Sequence, residues 1–476
     1  MNKNTAIYRE NRNEMEDIAI DRSLVEIRNE KLSVTILSII GNCFINNIVF
    51  IASNLISTIN LILLGHIVLQ NKTHYELFMT YQIGICIIDF FGKVYIIGLL
   101  RYIFEKKEHR KIYQIYLKLK TGLVLIIPII MIPVSLSSYF IIRLLLKNNL
   151  DIYNQSLNKQ IYFKFLIFSP IIYFFEILFY LNLKLLRAFE ETKAIISYIN
   201  CYLISHFVAC WILLYILKIG IIGLTISYAF NSFLFYFFTN IYINSKEEES
   251  ENFFAFPPKE YIDINVLNTL KEASSFSMRH VCDTLFLYLL FIFTLFTDKK
   301  QLIVNIVYIN FYYLLNGINK GFYFTFRQYL LHSKESNEEK KKYTVVFSLT
   351  FLAILFALFA VILIFKNVLM KIYLINGGDI NLRTISHSIQ TVFSFCVLFN
   401  GIQILLYGFI RGMASPSPLM HKFIYSFICL FLCLILCFVY KMGIKGLWYS
   451  VLLLCLGFAF GNGYKSIIHF NNFFIK

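Results

Sequence analysis

The sequence predicts an all-α polytopic membrane protein with twelve transmembrane helices in two pseudo-symmetric six-helix bundles. Of its 476 residues, 58% are hydrophobic and only 15% charged, with a mean hydropathy of +0.66. That is too little charge to keep a soluble chain of this length in solution. Apolar runs of roughly 20 residues, enough to cross a bilayer, recur from Leu32 to the C-terminus. Finally, Lys218-Ile219-Gly220-Ile221-Ile222-Gly223-Leu224 returns as Lys441-Met442-Gly443-Ile444-Lys445-Gly446-Leu447, and Leu186-Arg187-Ala188 returns in register as Ile410-Arg411-Gly412.

In chain order, residues 1–31 carry mixed charge without the apolar core of a signal peptide, so an uncleaved cytoplasmic segment is expected. The first span, 32–65, is longer than one straight crossing needs, which predicts a tilted or bent helix, and it holds Asn42, Asn46, Asn47, Asn54 and Asn60. Spans over 76–100, 119–145, 163–186, 194–216 and 220–243 complete a first bundle, 32–243. A polar linker, 244–265, with Lys246-Glu247-Glu248-Glu249-Ser250-Glu251 and Pro257-Pro258, separates it from the rest. A second bundle, 266–469, then contains spans over 266–296, 302–330, 343–372, 385–412, 418–440 and 444–469, and 470–476 form a cytoplasmic tail.

Formal charge is +16, from 44 Lys and Arg against 28 Asp and Glu. In a soluble protein this balance would suggest nucleic acid, but here the basic residues gather between spans, as in Lys106, Lys107, Arg110, Lys111, Lys118 and Lys120 and in Lys340, Lys341 and Lys342. Such clusters favour the cytoplasmic side, which places both termini inside and makes the span number even. The partner is therefore a lipid bilayer, in the plasma membrane or an internal one. The ten cysteines fall in apolar stretches without disulfide or zinc spacing, and Cys429, Cys433 and Cys437 share one helical face that reads as packing.

A repeat of six spans is how many secondary transporters build a central site between two bundles that rock against each other. Ionisable residues within spans are costly, so each is a functional candidate. These are Asp89, Lys93, Glu176, Arg279, Asp283 and Lys320. Asp89 with Lys93, and Arg279 with Asp283, stand four residues apart, where helical side chains meet, so a neutralised pair is one reading of each. Glu176 precedes Arg187 by the interval at which Asn400 precedes Arg411, so the repeat sets Glu176 opposite Asn400. Lys93 and Lys320 occupy near-equivalent spans and would suit an anionic solute, whereas exposed Asp283 and Glu176 would suit a cation. His280 could relay a proton, although a hydrogen-bonded core histidine is the plainer reading. Arg187, Arg411 and Lys193 read as anchors at span ends, and Tyr288, Tyr312, Tyr313, Tyr323 and Tyr407 as a possible aromatic wall.

The stretch Phe399-Asn400-Gly401-Ile402-Gln403, then Gly408-Phe409-Ile410-Arg411-Gly412 and Gly443-Ile444-Lys445-Gly446-Leu447-Trp448, resembles the multidrug and toxic compound extrusion (MATE) family, especially its eukaryotic branch. That branch carries an acidic-G-L-Q stretch, G-x-x-R-G and G-x-x-G-L-W; Gly65-His66 is similar to the family's G-H-L-G, and Gly220 and Gly223 to glycines of its sixth span. The resemblance implies a central cavity, alternating access, and export of a small organic cation or organic acid by a monomer in exchange for a proton or sodium ion. It sets Asp283 near a proton-coupling glutamate of the seventh span, with Tyr288 in place of a second glutamate. Asn400 stands where the tenth span carries an acid, and Asn60 near an aspartate of prokaryotic first spans. Asp283 and Glu176 are thus the coupling candidates, with Asn400, Gln403, Lys93, Lys320, Asp89, Arg279, Tyr288 and Asn60 expected at the cavity. The alternative is a lipid-linked or polar-headgroup flippase of the same layout. The spans show no paired catalytic acids and no His/Glu zinc pattern, so neither an enzyme nor a cofactor is expected, and no filter-like segment suggests a channel.

Overall fold

The structure is a computed structural model, described over residues 36–66, 74–105, 109–146, 155–189, 191–246, 264–332, 336–365, 368–374, 380–413 and 419–474. The expected segment 1–31 and most of the linker 244–265 lie outside the described residues.

Every described element is helical. Nine helices are long and apolar enough to cross a membrane among the described residues, and they match the predicted spans two to six, eight to ten and twelve. Two shorter apolar helices, Asn54–His66 and Ile424–Val439, fall within the first and eleventh spans. The seventh span is the helix Ile264–Thr294, which completes twelve. The first helix, Ile36–His66, has 31 residues. At 1.5 Å per residue it extends about 46 Å, well beyond the roughly 30 Å hydrocarbon core, as the length of the apolar run requires.

Helix pairings inside one half recur in the other. The fourth span packs on the sixth as the tenth packs on the twelfth, the third on the fourth as the ninth on the tenth, and the first on the fifth as the seventh on the eleventh. Between halves, the first span lies against the eighth and the seventh against the second, and these contacts exchange when the halves are exchanged. Close approach depends on small residues. A Cβ at Gly98 would stand 2.5 Å from Ser277 Cα, and one at Gly321 would stand 2.7 Å from Asn47 Cα.

The repeat is most literal at the elbows joining the fifth to sixth and eleventh to twelfth spans. Each preceding helix ends in a π-helical turn, Ile212–Ile216 and Ile435–Val439. Leu217 N donates to Ile212 O at 2.9 Å, and Tyr440 N donates to Ile435 O at 3.0 Å. Lys218 and Lys441 both adopt φ +52°, a conformation that L-residues avoid, followed by Gly220 at +69° and Gly443 at +56°. Beyond the turn, Gly223 and Gly446 let the next helix fold back: a Cβ would lie 2.8 Å from Leu213 Cβ in one elbow and 2.8 Å from the Leu436 carbonyl carbon in the other.

Gly223→Ala and Gly446→Ala should therefore each destabilise the protein, by about 1–3 kcal/mol through overpacking. Thermal unfolding of the detergent-solubilised protein checks this. Wild-type midpoints for both variants would show that the two elbows are not packed as described.

Candidate functional site: a cavity between the two halves

A cavity of about 200 Å³ opens between the halves. The first half lines it with the first span (Asn54, Ser57), the second (Gln82, Asp89, Lys93), the fourth (Tyr173, Lys184) and the sixth (Tyr228). From the second half come Tyr288 on the seventh span and Asn310, Tyr313 and Lys320 on the eighth. Hydrogen bonds tie the halves together beside it: Asn54 Nδ2 donates to Tyr313 O at 3.0 Å, and Thr58 Oγ1 to Asn310 Oδ1 at 2.8 Å.

The second span departs from α-helical geometry where it meets this cavity. Between His74–Ile88 and Val94–Leu99, residues Asp89–Lys93 form a π-helical turn. Winding is wider there, so residues four apart no longer stack, and such turns concentrate at functional sites. The expected Asp89–Lys93 pair is consequently not formed. Lys93 Nζ reaches across to Glu176 Oε2 on the fourth span at 2.9 Å, and it lies 4.5 Å from the centre of the Tyr173 ring. Glu176 is fully buried, and Tyr228 donates from the sixth span to its Oε1 at 2.9 Å. Three helices of the first half thus converge on one carboxylate.

Asp89 keeps a different environment. The Tyr288 side chain from the other half faces its carboxylate, while Oδ1 is buried and accepts no hydrogen bond among the described residues. Rings of Tyr288 and Tyr313 lie 6.1 Å apart, which places both at the level of Asp89. The cavity therefore presents an unpartnered carboxylate oxygen of Asp89 beside the rings of Tyr288 and Tyr313, an arrangement suited to a hydrogen-bond donor or a cation.

Of the residues singled out in the sequence, Asp89, Lys93, Lys320 and Tyr288 line the cavity, and Glu176 sits directly behind Lys93. Asn60 lies one residue back: its Nδ2 donates to Tyr81 OH, which does line the cavity, and its Oδ1 meets His206 Nε2 at 2.8 Å. Asn400 and Gln403 stand apart from this cavity. Asn400 is buried, donates to Asn316 Oδ1 at 3.3 Å and accepts from Gln403 Nε2 at 3.0 Å. Asp283, Arg279 and His280 belong to the seventh helix, but their side chains lie outside the described residues. The aromatic wall divides: Tyr312 packs on Trp448 and Tyr323 stacks on Tyr407, leaving Tyr288 and Tyr313 at the cavity.

One basic residue is placed differently from expectation. Lys120, grouped with the cytoplasmic basic run, is fully buried and donates to Asn240 Oδ1 at 2.6 Å between the rings of Tyr116 and Tyr236. Arg187 lies in the last turn of the fourth helix, at the span end, and its guanidinium stacks 3.7 Å from the Phe324 ring across the two halves. Sequence reasoning also missed Lys184, Tyr173 and Tyr228. Lys184 lies inside the predicted fourth span and carries the same intramembrane signal as Lys93, so an inventory of every ionisable residue in 163–186 finds it. The tyrosines carry no such signal among 32 Tyr and 50 Phe.

No protein-family profile matches the sequence, and no curated protein matches it. Solved structures do. The crystal structure of the eukaryotic MATE transporter AtDTX14 superposes with a TM-score of 0.67 at 14% identity, covering 91% of this chain and 96% of that one. The chain has the MATE transporter fold. An inward-facing multidrug resistance MATE transporter of the MOP superfamily gives a TM-score of 0.67 at 9% identity, over 92% of this chain and 99% of that one. A MOP superfamily transporter from Pyrococcus furiosus, described as having a binding pocket of reverse polarity, gives 0.64 at 10% identity over 90% and 96%. MATE structures thus confirm the twelve-helix, two-bundle architecture expected from the repeat.

Lys93→Met should destabilise the protein by about 3–5 kcal/mol at neutral pH, because it leaves Glu176 buried without its counter-charge. Adding Glu176→Gln should restore most of that loss. Midpoints of thermal unfolding for the single and double variants test the pair; a Lys93→Met variant as stable as wild type at pH 7 would refute it.

Proposed function

We propose that this protein is a secondary active transporter that exports small organic solutes by alternating access, in exchange for protons. The observation that carries the reading is the Lys93–Glu176 ion pair on the wall of a cavity shared by both halves. A fold with two rocking bundles supplies the movement, and a coupled transporter also needs a group that holds a proton on one side and releases it on the other.

Glu176 suits that role, because it is a buried carboxylate held by the Lys93 ammonium and the Tyr228 hydroxyl. When a proton neutralises it, Lys93 loses its partner. Asp89 stands one π-turn away with a bare oxygen, so the ammonium can transfer to it. That transfer changes the charge presented to the solute and loosens the second span from the fourth, which couples proton uptake to solute release. Asp283, on the seventh helix that brings Tyr288 to the cavity, is proposed as a second coupling carboxylate.

Proteoliposomes loaded with pyranine and challenged with a panel of organic cations and organic acids provide the test. Wild-type protein should show solute-evoked proton movement. Glu176→Gln should reduce it at least ten-fold while solute binding persists, and Asp283→Asn should reduce it independently. Wild-type coupling by Glu176→Gln, or flux driven by an imposed sodium gradient and not by a proton gradient, would overturn the assignment.

A further inference from the structure

We infer that Cys433 and Cys437 form a dithiol that hydrogen peroxide closes to a disulfide, a redox modification site at the elbow joining the eleventh and twelfth spans. The inference is independent of the solute and of the coupling ion.

The pair belongs to one half alone. The offset that sets Gly223 opposite Gly446 also sets Cys210 opposite Cys433, Ser227 opposite Ser450 and Leu214 opposite Cys437. Both elbows carry the π-helical turn and the lysine and glycine at positive φ. A leucine serves the first of them at the matching position, so the fold does not require a thiol at 437.

Geometry permits closure. Residues four apart in an α-helix have Cα atoms roughly 6 Å apart, within the roughly 4.4–6.8 Å that a disulfide spans. Cys433 lies in the last turn of the α-helix Leu419–Leu434 and Cys437 in the π-helical turn that follows, and their sulfurs meet at 3.7 Å. A disulfide needs about 2.05 Å, so each sulfur has to move in by only about 0.8 Å. Both residues are free thiols.

Exposure assigns the order of events. Cys437 is 7% exposed and Cys433 is fully buried, so Cys437 meets the oxidant and Cys433 resolves the product. The Cys437 sulfur attacks one peroxide oxygen, the O–O bond breaks, and a sulfenic acid forms with release of one water. The Cys433 sulfur then attacks Cys437, the S–O bond breaks, the S–S bond forms and a second water leaves. Two thiols lose two electrons and two protons, and hydrogen peroxide takes up both to become the two waters.

Closure changes what holds the elbow. Cys437 Sγ donates to Gly443 O at 3.2 Å, and that bond is lost with the proton, while Leu447 N still donates to the same carbonyl at 3.4 Å. In its place a covalent ring ties the last α-helical turn to the π-helical one. The Tyr440 N to Ile435 O bond that closes the π-turn then opens less often.

The full-length protein in detergent, treated with hydrogen peroxide to the level that oxidises the exposed Cys201, provides the test. Peptide mapping by mass spectrometry should find a Cys433–Cys437 disulfide that dithiothreitol removes. Amide hydrogen exchange over Leu436–Tyr440 should slow at least ten-fold on oxidation, while Leu213–Leu217, the matching turn without a dithiol, stays unchanged. Cys437→Leu, which installs the residue of the first elbow, and Cys433→Ala should each abolish both effects. Alkylatable thiols at both positions after the treatment, pairing of either with Cys429, or a disulfide that leaves exchange at the elbow unchanged overturns the inference.

Discussion

An ammonium and a carboxylate 2.9 Å apart, in a region where most side chains face lipid or one another, constrain how the first half can assemble. Leaving either charge alone at the centre of a membrane helix costs about 2.5–3.5 kcal/mol even by the milder insertion scales. Lys93 and Glu176 avoid that cost only while the second and fourth spans keep one register, with Tyr173 beneath the ammonium and Tyr228 donating to the carboxylate. The pair therefore fixes three helices of the cavity wall at once. Removing either partner therefore removes a constraint on all three.

The architecture was legible because the bilayer simplifies it. Satisfying every backbone group in hydrocarbon leaves helices as the default, so apolar length alone located the spans. The seven-residue match around Gly220 and Gly443 then announced the repeat. Its conformational content was also recoverable: lysines at φ +52° and glycines at positive φ recur in both elbows because each chain must reverse after a π-helical turn and pack back within van der Waals contact. Matching glycine spacing was the trace of that requirement in the sequence.

The site was only partly legible, for reasons that differ from residue to residue. Intramembrane charge identified Asp89, Lys93, Glu176 and Lys320, because the physics that makes them costly makes them conspicuous. Their pairing was misread because the i,i+4 rule assumes α-helical winding, and the π-turn Asp89–Lys93 breaks it. Lys120 was hidden by its neighbours, since a lysine at the end of a basic run reads as loop although its own chain folds into the bundle against Asn240. Asn400 and Gln403 belong to a motif strong enough to suggest the family, yet they bond to Asn316 and to each other rather than lining the cavity. Motif strength and position at the cavity are separate properties.

The two halves share a backbone plan but divide the chemistry unequally. Asp89, Lys93, Glu176 and Lys184 all come from the first half, whereas at the cavity the described residues of the second half offer Lys320, an asparagine and two tyrosines. Where Glu176 meets a lysine, its counterpart by equal spacing from Arg411, Asn400, meets amides. An amide network holds its geometry at any physiological pH, because none of its members titrates. A carboxylate–ammonium pair holds its geometry only while charged. Two bundles with the same backbone plan are therefore held by different physics: one by a buried charge pair, the other by neutral amides.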